Sequence, residues 1–123
     1  MTFLSAIRNT LGQADGQAGD TVITRARAGQ VTLIDVRGHD EVARTGKAKG
    51  AVHIPLMRLP ELADPRHPEF HAAFADRKPV AVYCASGARS ARAVQILRSL
   101  GHADVQNIGG LGDWARAGGE IVR

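Results

Sequence analysis

Short apolar segments alternate with amphipathic segments along most of this 123-residue chain, and this alternation constrains the fold more than any other feature. Each apolar segment has the length of a buried strand, whereas the segments between them carry apolar residues at helical spacing. Strands that alternate with helices form a parallel sheet, with right-handed crossovers and helices on both faces. The sequence therefore predicts a small three-layer α/β domain with a central parallel sheet of four to five strands. The predicted strands are Thr32–Val36, Ala51–Ile54, Val80–Tyr83 and Val105–Ile108.

Proline and glycine residues mark where the predicted helices begin and end. Pro68 is predicted to open a helix that places Phe70 and Phe74 on one face, because residues four apart are neighbours on a helix surface. Trp114 is interpreted as a core anchor for the last helix. The other predicted helices are Thr21–Ala28 closed by Gly29, His39–Arg44, Ser90–Leu100 closed by Gly101, and a last helix through Trp114 that stops at Gly118 and Gly119.

The first twenty residues are predicted to form a short amphipathic helix and a flexible linker, separate from a domain over residues 21–123. Gly12–Gly19 has the composition of a flexible linker. We expect the helix to dock on the domain's own surface, with contact to a membrane or a partner as the alternative. Its apolar stretch is too short for a signal peptide or a membrane span, which predicts a soluble, cytoplasmic protein. The apolar residues at helical spacing are Phe3, Leu4, Ile7 and Leu11.

The charged residues and the cysteine content narrow the classes of function. The net charge is +4, and the sixteen Lys and Arg residues are spread along the chain, which argues against a nucleic-acid-binding stripe. The simplest interpretation is a mildly basic, solvated surface without a function of its own, and a small anionic substrate is the functional alternative. Cys84 is the one cysteine, so the chain cannot form an internal disulfide, and the five His residues are scattered. The composition therefore predicts a reducing compartment and no metal site.

Cys84 lies where a predicted strand ends and the following helix is about to begin. Backbone N–H groups and the positive end of the helix dipole favour an anion at such a turn, including a thiolate. Ligands of parallel sheets bind beyond the carboxyl ends of the strands. We therefore expect Cys84 to converge with the residues after Val36, with Pro55 and with the Gly109–Gly110 turn.

Three side chains outside the cysteine loop are candidates for supporting roles. Asp35 ends an apolar strand, and we expect it to accept hydrogen bonds from loop N–H groups or to pair with an arginine, because a buried unpaired carboxylate is costly. Arg37 and Glu41 are four residues apart at a helix entrance and are predicted to form a surface pair. His53 is predicted to be a structural histidine with its hydrogen bonds satisfied, and a place near the pocket as a donor or titrating group is the alternative.

Four motifs follow one another along the chain: Leu33–Arg37 with Glu41, Gly50–Pro55, Cys84–Ser90 and Gly109–Trp114. In this order they resemble the rhodanese-like sulfurtransferase domain in its single-domain bacterial form, from about residue 21 to the C-terminus. The resemblance implies that Cys84 is the catalytic nucleophile and that its loop binds the substrate, with Arg89 lowering the thiol pKa or orienting an anionic donor. It also suggests that Arg37 frames the pocket. The loop residues are Ala85, Ser86, Gly87, Ala88, Arg89 and Ser90.

The resemblance implies a double displacement that needs no metal or organic cofactor. The Cys84 thiolate would take sulfane sulfur from a small anionic donor such as thiosulfate, and pass it from a persulfide to a thiol, a protein thiol or cyanide. One alternative is a sulfur carrier without turnover, or a rhodanese module that only binds a protein partner. Another is a cysteine phosphatase or arsenate reductase. Those enzymes usually have five residues between Cys and Arg, whereas four separate Cys84 from Arg89.

Two segments depart from the family pattern. Gly46–Lys49 is polar and cationic where many members have an apolar approach to the second strand, and no strand is evident before Thr21. The sheet is therefore expected to have four strands, or to have its edge filled by Ile121–Val122 or by another chain.

Overall fold

The computed structural model describes residues 22–123, and the predicted helix and linker of residues 1–20 lie outside this range. Between residues 22 and 123, no helix is long and apolar enough to cross a membrane.

A parallel sheet forms the centre of the described part of the chain, as the alternation of segments predicts. Its strands are β1 Thr32–Asp35, β3 Val52–His53, β4 Val80–Cys84 and β5 Val105–Gly110. The four strands have the order β3-β1-β4-β5 within residues 22–123. β1 pairs in parallel with both β3 and β4, and β4 pairs with β5. The carboxyl ends of these strands therefore lie at one edge of the sheet.

Helices cover both faces of the sheet, because the strand residues alternate between two apolar clusters. The helices are α1 over residues 22–27, α2 His39–Thr45, α3 Leu59–Leu62, α4 Ala88–Ser99 and α5 Leu111–Arg116. Ile34 and Cys84 belong to the cluster that packs against α3 and α4, whereas Leu33 and Tyr83 belong to the cluster on the opposite face, with α1 and α5. Neighbouring residues of β4 thus pack against helices on opposite faces of the sheet, and Cys84 lies on the face that α4 covers.

The predicted helix beginning at Pro68 is wrong. Ala72–Phe74 forms a 3-10 turn, and the residues from Pro68 to His71 are not helical. The backbone of His71 is extended, and its Nδ1 accepts a hydrogen bond of 2.9 Å from the Ala73 N–H, which takes the place of a helical bond. The rings of Phe70 and Phe74 nevertheless stack with centroids 6.3 Å apart, so their spacing reflects packing without a helix.

The segment that departs from the family pattern forms a strand that the sequence did not predict. Lys47–Ala48 (β2) pairs antiparallel with Ile121–Val122 (β6), so β6 does not fill the edge of the central sheet. Trp114 on α5 is buried, and its Nε1 donates to the Glu120 carbonyl at 2.8 Å. This contact holds the chain next to β6, which agrees with the interpretation of Trp114 as a core anchor.

Candidate active site

The loop after β4 turns back over the sulfur of Cys84. Cys84 is buried, and Gly87, the N-cap of α4, has a φ of 106°, a conformation that a residue with a Cβ rarely adopts. This turn directs the Gly87 N–H to the Cys84 Sγ at 3.0 Å. The sequence Ala85-Ser86-Gly87 therefore places the sulfur at the amino end of a twelve-residue helix.

A second backbone segment, the Gly109–Gly110 turn, lies directly against this loop. The ladder between β4 and β5 is irregular between Val82 and Cys84, and Cys84 pairs with Gly110. A Cβ on Gly110 would collide with the Ala85 carbonyl, so only glycine permits this approach of the two backbones. The predicted convergence of Cys84 with the Gly109–Gly110 turn is confirmed.

The surroundings of Cys84 make it acidic for a thiol. Burial raises its pKa, but hydrogen bonds from the Ser90 hydroxyl and from the backbone N–H groups of Ser90, Gly87 and Ser86 outweigh this and lower the pKa to about 7. The Ser90 Oγ is 3.4 Å from Sγ. A large fraction of Cys84 is therefore thiolate near neutral pH, which is the form that attacks electrophilic sulfur.

Arg89 stands beside the thiol on the first turn of α4 and is held by Glu41 of α2. Its Nη1 and Nη2 donate to the two carboxylate oxygens of Glu41 at 2.6 and 2.8 Å. The Arg89 hydrogen bonds, followed by one from the Gly38 N–H, lower the pKa of Glu41 to about 2. The pKa of Arg89 is raised, mainly by its hydrogen bonds to Glu41 and further by the nearby Cys84. Arg89 is thus a fixed cation next to Cys84, half-exposed toward solvent.

The predicted surface pair of Arg37 with Glu41 is wrong, because Arg37 is buried and bonded to Asp35. Its Nε and Nη2 donate to the Asp35 carboxylate, the shortest contact being 2.7 Å, and its backbone N–H donates to the same group at 3.0 Å. The Tyr83 hydroxyl also donates to Asp35 at 2.7 Å. The expectation that Asp35 accepts a loop N–H and pairs with an arginine is met. The Asp35 hydrogen bonds raise the pKa of Arg37 above its ordinary value.

Arg37 and His53 form hydrogen bonds with backbone carbonyl groups at this edge of the sheet. Arg37 donates to the Gly46 carbonyl at 2.7 Å and to the Thr45 hydroxyl at 2.8 Å, at the end of α2. His53 Nε2 lies 2.7 Å from the Arg37 carbonyl, and its ring meets the edge of His39 with centroids 4.8 Å apart. These contacts agree with the interpretation of His53 as a structural histidine, and they join Arg37 to the end of α2.

Sequence reasoning missed Asn107, which joins three parts of the site. Its Oδ1 accepts from the Ser90 hydroxyl at 2.7 Å and from the Gly109 N–H at 2.9 Å, and its Nδ2 donates to the Gly87 carbonyl at 3.0 Å. The available signal was the amide pair Gln106-Asn107 between the apolar residues of a strand, with Asn107 two residues before Gly109. Glu41 as the partner of Arg89 was also missed, because the two residues are far apart in sequence.

Residues 22–123 contain no group of three His, Cys, Asp or Glu side chains placed to hold a metal ion. The chemistry that the described side chains of the site offer is that of a buried, acidic thiol beside a fixed arginine and a ring of N–H donors.

Comparison with known proteins agrees with this description. The family model for the rhodanese-like domain matches residues 19–117. The chain is 32% identical over 89 residues to the human thiosulfate:glutathione sulfurtransferase, covering 68% of this chain and 76% of that protein.

Two solved structures share the fold over most of their length. A Rhodopseudomonas palustris protein of unknown function, described as a "possible tyrosine phosphatase", has a TM-score of 0.74 and 29% identity, covering 89% of this chain and 92% of that one. The human single-domain sulfurtransferase has a TM-score of 0.62 and 31% identity, covering 78% of this chain and 90% of that chain. With its parallel sheet, its cysteine loop and this match, the chain belongs to the rhodanese-like domain family.

Proposed function

We propose that the protein is a sulfurtransferase that carries sulfane sulfur on Cys84. The thiolate attacks the outer sulfur of thiosulfate, an S–S bond forms to Cys84, and sulfite leaves with the electron pair of the broken bond. A nucleophilic acceptor then attacks the terminal sulfur, and the thiolate of Cys84 is regenerated. The observation that carries the proposal is the acidic Cys84 thiol, with its pKa of about 7, in a loop whose N–H groups point at the sulfur.

The loop also suits the persulfide that this reaction forms. The negative charge of a persulfide resides mainly on its terminal sulfur, which would extend from Cys84 toward the mouth of the loop. Free N–H groups at the start of a helix stabilise an anion there, as they stabilise the thiolate. The side chains of Ala85, Ser86 and Ala88 are small and lie at an exposed surface, so they leave room for an acceptor to approach.

Sequence relatives suggest the substrate class. The human relative is named for thiosulfate as donor and glutathione as acceptor, and we propose the same classes here: a small anionic sulfane sulfur donor and a thiol. Cyanide serves as a convenient acceptor in the test because it is a small nucleophile for sulfane sulfur.

A second candidate is phosphate-ester hydrolysis, which the name of the Rhodopseudomonas palustris structure raises. Both chemistries use a cysteine thiolate and an arginine around an anion. Four residues between Cys84 and Arg89 make a smaller loop than the five usual in cysteine phosphatases and arsenate reductases. A smaller loop fits one sulfur atom better than a tetrahedral phosphate, and we therefore favour sulfur transfer.

Sulfur loading and turnover together test the proposed function. The protein is incubated with thiosulfate, the excess is removed, and the intact mass is measured, with one added sulfur atom expected. Thiocyanate formation with cyanide should then proceed over many turnovers. Loading that stays stoichiometric with cyanide and with every thiol acceptor would favour a sulfur carrier, and hydrolysis of a phosphate ester at a comparable rate would favour a phosphatase.

Arg89→Ala is expected to weaken sulfur transfer more than it weakens the fold. A charged hydrogen bond to an anionic donor contributes about 1.5–3 kcal/mol, so we expect the kcat/KM for thiosulfate to fall about tenfold to a hundredfold. Steady-state thiocyanate formation gives kcat/KM, and thermal unfolding gives the melting temperature. Arg92→Ala, one turn further along α4 and exposed, is the matched control. Equal losses in Arg89→Ala and Arg92→Ala would show that Arg89 does not contact the donor.

A further inference from the structure

The hydroxyl of Ser90 has one proton to donate and three acceptors within reach. Its Oγ is 2.7 Å from the Asn107 Oδ1 and 3.4 Å from both the Cys84 Sγ and the Gly109 carbonyl oxygen, so Asn107 is the nearest acceptor. Ser90 is fully buried, so no access of solvent replaces a lost hydrogen bond. When the hydroxyl donates to Asn107, it donates no hydrogen bond to the sulfur. The sulfur then either donates its own S–H to the Ser90 oxygen or lies beside Ser90 as an uncharged neighbour without a hydrogen bond.

The orientation of the Asn107 amide is fixed by its other two partners. Its Oδ1 accepts the Gly109 N–H at 2.9 Å, and its Nδ2 donates to the Gly87 carbonyl at 3.0 Å. Exchanging the oxygen and nitrogen would place two donors together and two acceptors together. Asn107 therefore presents an oxygen to Ser90, and it competes with Cys84 for the Ser90 proton.

The outcome of this competition depends on the charge of the sulfur. A thiolate is a strong acceptor, whereas a neutral thiol, or the inner sulfur of a persulfide, is a weak one. The Ser90 proton should turn to Cys84 in the thiolate and to Asn107 once the charge has left Sγ. No bond between heavy atoms changes in this rotation.

We propose that Asn107 is a positioning residue that acts through Ser90: it accepts the hydrogen bond of the Ser90 hydroxyl when Cys84 carries sulfur, and so favours the persulfide over the free thiolate. The inference has two parts. The first part, that Asn107 favours the persulfide, rests on the proposed sulfur transfer. The second part, that Asn107 and Cys84 compete for the hydrogen bond of Ser90, concerns the thiol itself and needs no sulfur donor.

Rates of alkylation by iodoacetamide as a function of pH test the competition. Asn107→Ala removes the nearest rival acceptor and leaves only the more distant Gly109 carbonyl. We expect the midpoint of the profile to fall by about half a pH unit, the free energy of a modest hydrogen bond. A merely structural role predicts the opposite, because loosening the loop would weaken the bonds to the thiolate and raise the midpoint.

Ser90→Ala provides the matched control. It should raise the midpoint by removing a donor to the thiolate, and adding Asn107→Ala in this background should cause no further shift, because Asn107 would have no proton to compete for. An equal shift by Asn107→Ala with and without Ser90, or no shift in either, would overturn the proposal. Asn107→Leu also lacks an acceptor for Ser90 and is close to asparagine in size, so it should lower the midpoint likewise if the alanine variant is poorly folded.

The persulfide part is measured by loading at equilibrium. At a fixed ratio of thiosulfate to sulfite, intact mass gives the fraction of Cys84 that carries sulfur, and Asn107→Ala should lower the ratio of loaded to free protein about threefold. An unchanged or higher ratio would contradict the role of Asn107 at the persulfide. Failure of the unaltered protein to load sulfur would instead refute the sulfurtransferase function, and the alkylation profiles would still decide the competition for the Ser90 proton.

Discussion

Cys84→Ser is expected to abolish sulfur loading and to reduce thiocyanate formation to the rate without protein. A serine hydroxyl is not ionised near neutral pH, and oxygen is a far weaker nucleophile than thiolate toward sulfane sulfur. The change preserves the Cβ and replaces Sγ with a smaller atom, and the buried site retains the Ser90 and Gly87 donors as partners for the new hydroxyl. The melting temperature should therefore change little.

The pH dependence of the unaltered protein provides the internal control for this variant. Because the pKa of Cys84 is lowered to about 7, the thiolate fraction rises with pH up to that value and levels off above it. The rate of sulfur loading should rise about tenfold per pH unit on the acid side and reach a plateau on the alkaline side. Sulfur transfer that persists in Cys84→Ser with the same pH profile would show that another group carries the sulfur.

The local part of the site was predictable because it depends on residues that are neighbours in sequence. An apolar run, then Cys84, then a glycine and a helical pattern specify a strand, a turn and a helix N-terminus without any knowledge of tertiary packing. The parallel sheet followed from the same alternation. The acidic thiol was expected from the loop, and its main donors, Ser90 and Gly87, both belong to that loop.

The contacts between distant segments were not predictable in the same way. Glu41 was paired with Arg37 because residues four apart on a helix are neighbours, yet it bonds to Arg89, 48 residues away. The three hydrogen bonds of Asn107 were not predictable, since its partners come from the loop, the helix and the Gly109–Gly110 segment. β2 was missed because a two-residue strand in the polar Gly46–Lys49 segment has no periodicity to detect.

The burial of the arginine side chains was the property hardest to predict from the sequence, as two Asp-x-Arg segments illustrate. In Asp35-Val36-Arg37 and in Asp64-Pro65-Arg66, one aspartate oxygen accepts both the backbone N–H and the Nε of the arginine, and the other accepts Nη2. The two motifs have the same local hydrogen bonds. The first pair is buried at the end of β1, whereas the Arg66 side chain is 84% exposed.

This difference makes Asp35→Asn the substitution with the largest expected effect on stability. The new amide would leave the Arg37 guanidinium buried without a counter-charge, and the amide nitrogen would face donors that now meet a carboxylate. Removing one partner of a buried ion pair costs about 3–5 kcal/mol in the free energy of unfolding, a large part of the stability of a small domain. Urea unfolding followed by tryptophan fluorescence measures the change.

Asp64→Asn is the matched control, because it removes the same charge from the same pattern of bonds, with the Asp64 side chain 19% exposed and its arginine partner 84% exposed. Solvent and salt screen this pair, so its loss should shift the urea midpoint far less than Asp35→Asn does. Similar shifts in the two variants would mean that burial of the Asp35–Arg37 pair contributes nothing beyond the local turn.

The Asp35–Arg37 pair also connects stability with the candidate active site. Arg37 bonds to Thr45 and Gly46 at the end of α2, the helix that carries Glu41 and so holds Arg89. Asp35→Asn should therefore lower the kcat/KM for thiosulfate in the fraction that remains folded, whereas the alkylation midpoint of Cys84, which is set mainly within its own loop, should stay near its original value. If the alkylation midpoint of Cys84 shifts together with the loss in kcat/KM, the pair acts on the thiol directly and not through Arg89.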